Sequence, residues 1–355
     1  MAAWCSPTGK TDGHTPVTYS TADLLQRPGG DPTPRLVVTQ RTSGDSAFRG
    51  ISMAAGIFVF VILALIGIFL AIQAWPAFHY MGLRFFTTPE WVPQPQHGHP
   101  AEIGIAVAAV GTLIIALIAL VIAVPVSISS ALFISEYAPR TLFGVIPFKS
   151  LLTSVVDLMA AVPSIIYGLW GFLVLEPHMV GISRWISDHL SFIPIFKVAP
   201  GTSVFTGSSF IAGVLVAIMV LPIVTSICRE LFSLTPLAER EAALALGASR
   251  ARVIRDVVFP FSKGGMVGAI MLGLGRALGE AIAVSIIISL SFVHNFRILS
   301  SGANSVAALI ANLFGSGGKL GLSGLLAAGL VLFIFTLGVN TVASVIVSRT
   351  RVRPS

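Results

Sequence analysis

Six long apolar stretches constrain the fold of this sequence more than any other feature. They cover residues 51–75, 103–135, 150–175, 198–228, 264–293 and 320–348. A helix needs about 20 residues to cross roughly 30 Å of hydrocarbon. In lipid, a backbone must satisfy its hydrogen bonds internally, as a helix does. The sequence therefore predicts an all-α polytopic membrane protein with six transmembrane helices.

The composition is consistent with lipid as the main solvent. Of the 355 residues, 55% are hydrophobic and only 10% are charged, whereas about 25% are charged in a typical soluble domain. The formal net charge of +7 does not indicate nucleic-acid binding, because the basic residues are spread over many loops. Cys5 and Cys228 have no metal-binding or redox spacing, and we expect unpaired thiols.

The polar N-terminal segment and the loop charges predict the orientation. Residues 1–50 lack apolar periodicity and are predicted to be a disordered cytoplasmic tail before a transmembrane domain over 51–355. No cleavable signal peptide is recognisable, so the first apolar stretch is expected to be an uncleaved anchor. Sixteen Lys and Arg residues lie on one set of connections, which includes both termini and loop 229–263, against five on the other. Since basic loops stay inside, both termini and that loop are predicted to be cytoplasmic.

Loop 229–263 carries the signals of two short helices joined by a glycine turn. Thr235 followed by Pro236 is typical of a helix start, and Gly247 is suited to the left-handed conformation that ends a helix. Ser249 is expected to cap a second helix, and Pro260 to close that helix before the fifth apolar stretch.

The fifth apolar stretch contains two charges, Arg276 and Glu280. Arg276 lies roughly 18 Å beyond Gly264 along an ideal helix, near mid-membrane, where a charge costs several kcal/mol. Glu280, one turn later, is predicted to pair with it, and Gly275 and Gly279 are predicted to allow another helix to approach closely. These residues indicate an anion-handling pair in a transport pathway; the alternative is a structural ion pair that locks two subunits together.

The third apolar stretch offers two further candidates for the pathway. Asp157 lies near its start, where a gate function and a structural, hydrogen-bonded function are both open. Pro163 and Ser164 interrupt the helical hydrogen bonds, so that free carbonyls and a hydroxyl either line a cavity or only bend the helix.

Two motifs resemble those of known transporters. Loop 229–263 is similar to the EAA loop of ABC importer permeases. The matching residues are Glu241-Ala242-Ala243, Gly247 and Pro260, and Val257 and Phe259 stand where that loop has Ile and Leu. Segment 273–280, Gly-Leu-Gly-Arg-Ala-Leu-Gly-Glu, resembles PstC-type permeases of phosphate-specific importers. PstA-type sister permeases typically have a proline soon afterwards, which is absent here. The resemblance spans about residues 80–348, with further similar segments at 124–139, 160–171 and 304–307.

The resemblance implies a type I ABC importer (MetI-like) permease fold in a bacterial cytoplasmic membrane. It implies that the loop contacts an ATPase subunit through Glu241, Ala242, Ala243, Gly247, Ala248 and Pro260. The implied partners are a PstA-type permease, two copies of the ATPase and an extracytoplasmic phosphate-binding protein. The chain would itself be non-catalytic and carry no cofactor, since MgATP would bind to the partner ATPase.

Several alternatives stay open at this point. Within the class, the chain could be the PstA-type subunit or a permease for another oxyanion, such as molybdate or phosphonate. A stand-alone anion channel or secondary carrier would need neither an ATPase nor an EAA loop. We find no convergent catalytic groups for a membrane enzyme, and no metal site is expected, because His97 and His99 form too short a cluster. Gly9-Lys10-Thr11 lacks the earlier glycine of a P-loop, so no ATP site is expected.

Overall fold

A computed structural model of the chain describes residues 43–95, 100–139, 141, 147–198, 204–293, 296–316 and 318–350. Its α-helices are α1 (Ser43–Met81), α2 (Arg84–Thr87), α3 (Ala106–Leu132), α4 (Phe148–Ala161), α5 (Ser164–Trp170), α6 (Glu176–Leu190), α7 (Ser209–Ser233), α8 (Leu237–Ala245), α9 (Arg250–Val253), α10 (Phe259–Gly279), α11 (Ile282–Ile287), α12 (Val306–Leu313) and α13 (Gly318–Thr350). Shorter elements are π-helical turns at Phe133–Tyr137, Gly171–Leu175 and Ile254–Val258, a 3-10 turn at Pro194–Phe196, and an antiparallel pair of strands, β1 (Trp91–Val92) and β2 (Glu102–Ile103), with Trp91 opposite Ile103.

Six helical segments of the described chain are long and apolar enough to cross a membrane. They are Gly44–Met81, Ala106–Tyr137, Ser164–Leu190, Ser209–Ser233, Arg250–Gly279 and Gly318–Val342. The prediction of an all-α protein with six spans is confirmed. The fourth span is the later part of its apolar stretch, because its helix begins only at Ser209, with Ser208 as the N-cap.

The third span differs from the prediction. The apolar stretch 150–175 is interrupted at Val162 and Pro163, whose backbones are extended with ψ of 129° and 141°. Proline has no N–H to continue the helical ladder, and it disfavours helical backbone in the residue before it. The span therefore starts at Ser164, and Asp157 lies outside it on the separate helix α4.

The fifth span also has different ends. It begins at Arg250, so the second helix of the loop and the span form one continuous helical run. The prediction that Pro260 closes the second helix of the loop is wrong. The preceding π-helical turn accommodates the proline within a continuous helical run: the Phe259 N–H donates to the Ile254 carbonyl, five residues earlier. The helix then ends at Gly279, well before residue 293.

The first helix begins earlier than expected and crosses a boundary between two compact units. Residues 43–50, which the sequence assigned to the tail, are helical. Asp45 lies in the first turn, where its negative charge interacts favourably with the positive end of the helix dipole. Residues 1–42 lie outside the described part of the chain. The unit boundary falls after Ile66. The described part of the first unit, residues 43–66, is a single apolar helical segment, and the second unit runs from Gly67 onward.

One core of the second unit is built around α3 and α7, which run parallel to each other: Ile118 lies beside Gly213, and Ser127, further along α3, contacts Leu221 and Thr225, further along α7. Ala116, Ala119 and Ala123 of α3 are buried in it, and a Cβ on Gly213 of α7 would lie only 2.6 Å from Ile118. Small residues allow helices to approach closely in a membrane. Hydrogen bonds add to this contact: the Ser127 hydroxyl donates to the Leu221 carbonyl at 3.1 Å, and Thr225 donates to the Ser127 carbonyl at 3.4 Å. These two helices therefore form a tight framework.

A second core joins the end of α1 to the strands, α12 and α13. Its largest fully buried side chains are Phe85, Ile103, Ile105, Leu309 and Leu325. The Ser323 hydroxyl of α13 donates to the Gln73 carbonyl at 2.8 Å and accepts from the Ala77 N–H at 3.1 Å. The end of α1 is thus attached to the last span.

Candidate translocation cleft and coupling loop

Arg276 lies in the last turn of α10, and its exposed side chain lines an open cleft of about 760 Å³. The lining residues are Leu70, Ile223, Met271, Leu272, Gly275, Arg276, Gly279, Gly329, Leu332, Phe333, Thr336 and Asn340. Arg276 is the only charged residue among them. Partial negative charge at a helix C-terminus attracts a cation, so the end of α10 interacts favourably with the Arg276 guanidinium.

Two neutral polar side chains of α13 share this cleft. The Thr336 hydroxyl donates to the Phe333 carbonyl at 3.0 Å and so retains only acceptor capacity. The Asn340 amide makes no hydrogen bond within the described part of the chain, and its atoms lie 3.7 and 3.9 Å from the point where a Cβ on Gly275 would stand. A guanidinium, a free amide and a hydroxyl acceptor therefore face one open cleft with mostly apolar walls.

The predicted ion pair between Arg276 and Glu280 is wrong. Glu280 follows the end of α10 with extended backbone (ψ 113°), so it does not lie one helical turn beyond Arg276. Its Oε1 instead accepts the Ala283 N–H at 3.3 Å, at the start of α11. A carboxylate at a helix N-terminus accepts a hydrogen bond from a backbone N–H that has no partner within the helix, and its negative charge interacts favourably with the helix dipole. Within the described residues, no carboxylate forms an ion pair with Arg276.

The close helix packing of α10 falls on glycines other than those predicted. Gly275 and Gly279 both line the cleft, and a Cβ on Gly279 would meet no atom within 4 Å. On another face, a Cβ on Gly273 would lie 2.8 Å from Val220 of α7, and Gly265 is similarly close to Leu231. Within the described part of the chain, α10 approaches α7 through Gly265 and Gly273, and the close approach of another helix at Gly275 and Gly279 stays a prediction.

Asp157 lies away from the cleft, between α4 and α7. Its Oδ1 accepts the Ser226 hydroxyl at 2.9 Å and lies 3.9 Å from Nη2 of Arg229. The carboxylate side chain is 50% exposed. These contacts correspond to the hydrogen-bonded alternative considered for Asp157, and they attach α4 to the end of the fourth span.

Ser164 begins α5 directly after the break at Pro163 and does not line the cleft. The hydroxyl of Tyr167 donates to the Met159 carbonyl at 2.8 Å, which provides a partner for one carbonyl beside the interrupted ladder. The interruption predicted at Pro163 is confirmed, and the lining of a cavity by Ser164 stays a prediction.

The coupling loop, residues 229–263, presents a short exposed helix. No residue of α8 is buried. The turn that terminates this helix contains Gly247, two residues after Ala245, with a φ of 82°. Two hydrogen bonds close the turn: the Gly247 N–H donates to the Leu244 carbonyl at 2.9 Å, and the Ala248 N–H donates to the Ala243 carbonyl at 3.1 Å. This is a Schellman ending, which favours glycine because an L side chain is strained at positive φ. The predicted glycine turn is confirmed.

The two predicted helix caps have different outcomes. The Ser249 hydroxyl accepts the Arg252 N–H at 3.4 Å, as expected for an N-cap. Thr235 does not cap α8, because the helix starts one residue later, with Pro236 in the N-cap position. The Thr235 hydroxyl is instead buried without a hydrogen-bond partner in the described chain.

Sequence reasoning did not assign functions to Asn340 and Thr336, or to the side chains of Arg240 and Glu136. The first two are polar residues in an apolar stretch, a weak signal that a cavity is present. Arg240 donates to Glu136, which lies 104 residues earlier. Local spacing gives no signal for such a pair.

Comparisons with known proteins match most of the chain. Residues 142–352 match the family model described as binding-protein-dependent transport system inner membrane component. The chain is 38% identical over 304 residues to phosphate transport system permease protein PstC 2 of Mycobacterium tuberculosis, covering 85% of this chain and 91% of that protein. It is 36% identical over 308 residues to PstC of Pasteurella multocida, again covering 85% and 91%.

Among solved structures, a bacterial alginate ABC transporter is similar with a TM-score of 0.48 and 18% identity, covering 88% of this chain and 100% of that chain. The family match covers more than half of the sequence and includes both the coupling loop and Arg276. The chain therefore belongs to the family of binding-protein-dependent transport system inner membrane components, the permease subunits of ABC importers.

Proposed function

We propose that this chain is a permease subunit of an ATP-driven phosphate importer and forms half of its translocation path. One observation carries the proposal: 36–38% identity over about 85% of the chain to permeases named for phosphate transport. The cleft and the coupling loop give this assignment a physical basis.

Arg276 supplies the cationic group of the path. A guanidinium presents fork-shaped donors that match the oxygens of a phosphate. The Asn340 amide is available to donate to another oxygen, and the Thr336 hydroxyl, as an acceptor, suits the protonated oxygen of hydrogen phosphate. Conduction requires that the ion also leave. Since Glu280 does not neutralise Arg276, solvent in the open cleft is what weakens binding, and selectivity resides mainly in the binding protein.

The coupling loop provides the connection to ATP hydrolysis. No residue of helix α8 is buried, and its small residues suit insertion into a groove of a partner. In the proposed complex, Glu241, Ala242, Ala243, Gly247, Ala248 and Pro260 contact the ATPase. Two ATPase copies bind MgATP, a PstA-type permease forms the other half of the path, and an extracytoplasmic phosphate-binding protein delivers the ion. The chain itself is non-catalytic.

The proposed orientation places the coupling loop and both termini in the cytoplasm, and cysteine labelling tests it. In a Cys5→Ser, Cys228→Ala background, Glu239→Cys on α8 is expected to react with a membrane-impermeant maleimide only in inside-out vesicles. Ser316→Cys, exposed before the last span, is the matched site and is expected to react only in right-side-out vesicles. The reverse pattern would contradict the orientation and the ATPase contact with it.

Uptake by a reconstituted complex tests the function. The chain is purified with the partners that copurify, and ³²P-phosphate uptake into proteoliposomes is measured with and without ATP and binding protein. We expect uptake that needs both, with sulfate, molybdate and a phosphonate as competing ions. Uptake without ATP would favour a channel or secondary carrier, and ATP-dependent uptake of molybdate or phosphonate alone would favour an importer of another oxyanion.

A further inference from the structure

The side chain of Arg240 connects the coupling helix to the second and fourth spans. Its Nη1 donates to both carboxylate oxygens of Glu136, at 2.9 and 3.1 Å. Its Nη2 donates to the Phe232 carbonyl. Glu136 lies in the π-helical turn that completes the second span, and Phe232 lies in the last turn of α7. One guanidinium thus joins the coupling helix to the end of the neighbouring helix α7 and to the end of the second span, 104 residues earlier in the sequence.

This ion pair is largely shielded from water. The Arg240 and Glu136 side chains are only 20% and 18% exposed. Charge-assisted hydrogen bonds in such a setting are stronger than those of exposed pairs, and removing one partner leaves an uncompensated charge. The pair is therefore a fixed attachment, unlike a surface ion pair, which contributes little.

Few other side chains attach α8 to the spans. None of its residues is buried, and Arg240 and Ala243 are the only ones that are not fully exposed. The backbone connects α8 to α7 through residues 234–236, and through the Gly247 turn to the helical run that carries Arg276. The Arg240 side chain adds a non-covalent link to the end of the second span, whose helix α3 packs against α7 along its length.

Building on the proposed importer function, we propose that Arg240 is a positioning residue: it transmits movement of the coupling helix to the second span through Glu136, and it holds that helix against the end of the fourth span through the Phe232 carbonyl. Displacement of α8 by the ATPase then moves the α3–α7 framework and the Arg276 helix together. Loss of the ion pair leaves only the backbone links of α8 to α7 and to the Arg276 helix, so ATP hydrolysis continues while α3 follows the coupling helix less closely.

The test compares transport with hydrolysis in the whole purified complex. In Glu136→Gln, whose neutral amide is nearly the same size, we expect ATP hydrolysis within about twofold of the unsubstituted complex and a fall of at least about fivefold in phosphate transported per ATP. The exchanged pair Glu136→Arg with Arg240→Glu is expected to recover only part of that ratio, because it restores the ion pair but leaves the Phe232 carbonyl without its donor. Asp188→Asn, an exposed carboxylate on α6, is the control and is expected to leave the ratio unchanged.

A distance measurement makes the result independent of the transported ion. Spin labels at Glu239→Cys on α8 and Ser129→Cys on α3, in the background without other cysteines, are expected to give a narrow distance distribution that broadens in Glu136→Gln. An unchanged distribution together with an unchanged ratio would overturn the proposal. If the unsubstituted complex does not transport phosphate, the proposed function fails, and the distance distribution alone decides on the attachment.

Discussion

Replacing Arg276 with Gln is expected to lower ATP-driven phosphate uptake at least about tenfold, while ATP hydrolysis and assembly stay within about twofold. The substitution removes the only charge that lines the cleft and leaves neutral groups from Thr336 and Asn340. Hydrogen bonds to charged groups contribute about 1.5–3 kcal/mol each, which corresponds to roughly ten- to a hundredfold. Uptake of ³²P-phosphate and ATP hydrolysis are measured on the same proteoliposomes.

Three further variants separate the possible causes of the lower phosphate uptake in Arg276→Gln. Arg276→Lys keeps the positive charge but loses the planar guanidinium that can donate two parallel hydrogen bonds to phosphate, so intermediate uptake is expected. Glu280→Gln is expected to reduce uptake less than Arg276→Gln, because its carboxylate contacts the Ala283 N–H rather than Arg276. Arg184→Gln, at an exposed position of α6, is the control for loss of a positive charge. Normal uptake by Arg276→Gln would refute a pathway function for this side chain.

The sequence predicts the six spans well because hydrophobic length is a local property. A stretch of about 20 apolar residues has few alternatives to a membrane helix. The ends of the spans are less predictable. Between 150 and 175 the hydropathy is nearly uniform, and only Pro163 marks the break that moves the third span to Ser164–Leu190.

The partners of the charged residues could not be predicted from local spacing. The expected pairing of Arg276 with Glu280 assumed a helix that continues beyond Gly279. Tertiary packing decides otherwise, because α11 lies against α5 so closely that a Cβ on Gly168 would be 2.9 Å from Ala283. The Arg240–Glu136 pair depends on the folded arrangement of segments 104 residues apart. By contrast, Gly247 was predictable, because a left-handed helix ending is a requirement on one residue.

Gly247→Val is expected to lower phosphate uptake and ATP hydrolysis together, by at least about tenfold. The φ of 82° excludes a β-branched residue without strain. Even an unbranched L residue costs roughly 1–2 kcal/mol in the left-handed region. A Cβ at this position would meet no atom within 4 Å, so the effect arises from the backbone and not from a steric clash. The altered turn changes the direction of α8 relative to the fifth span and weakens the contact with the ATPase.

Gly247→Asn is the matched control, because asparagine adopts the left-handed conformation more readily than other non-glycine residues. It adds a side chain of similar size to valine, and we expect it to keep most of the uptake and ATP hydrolysis. The two glycine variants are compared by copurification of the ATPase and by ATP hydrolysis in proteoliposomes. Arg276→Gln is expected to reduce uptake but not ATP hydrolysis, whereas Gly247→Val is expected to reduce both. Comparing these two variants therefore distinguishes a defect in the translocation path from a defect in the contact with the ATPase. Equal loss in Gly247→Asn and Gly247→Val would show that the exposed surface of the turn, rather than its backbone conformation, is what the ATPase contacts.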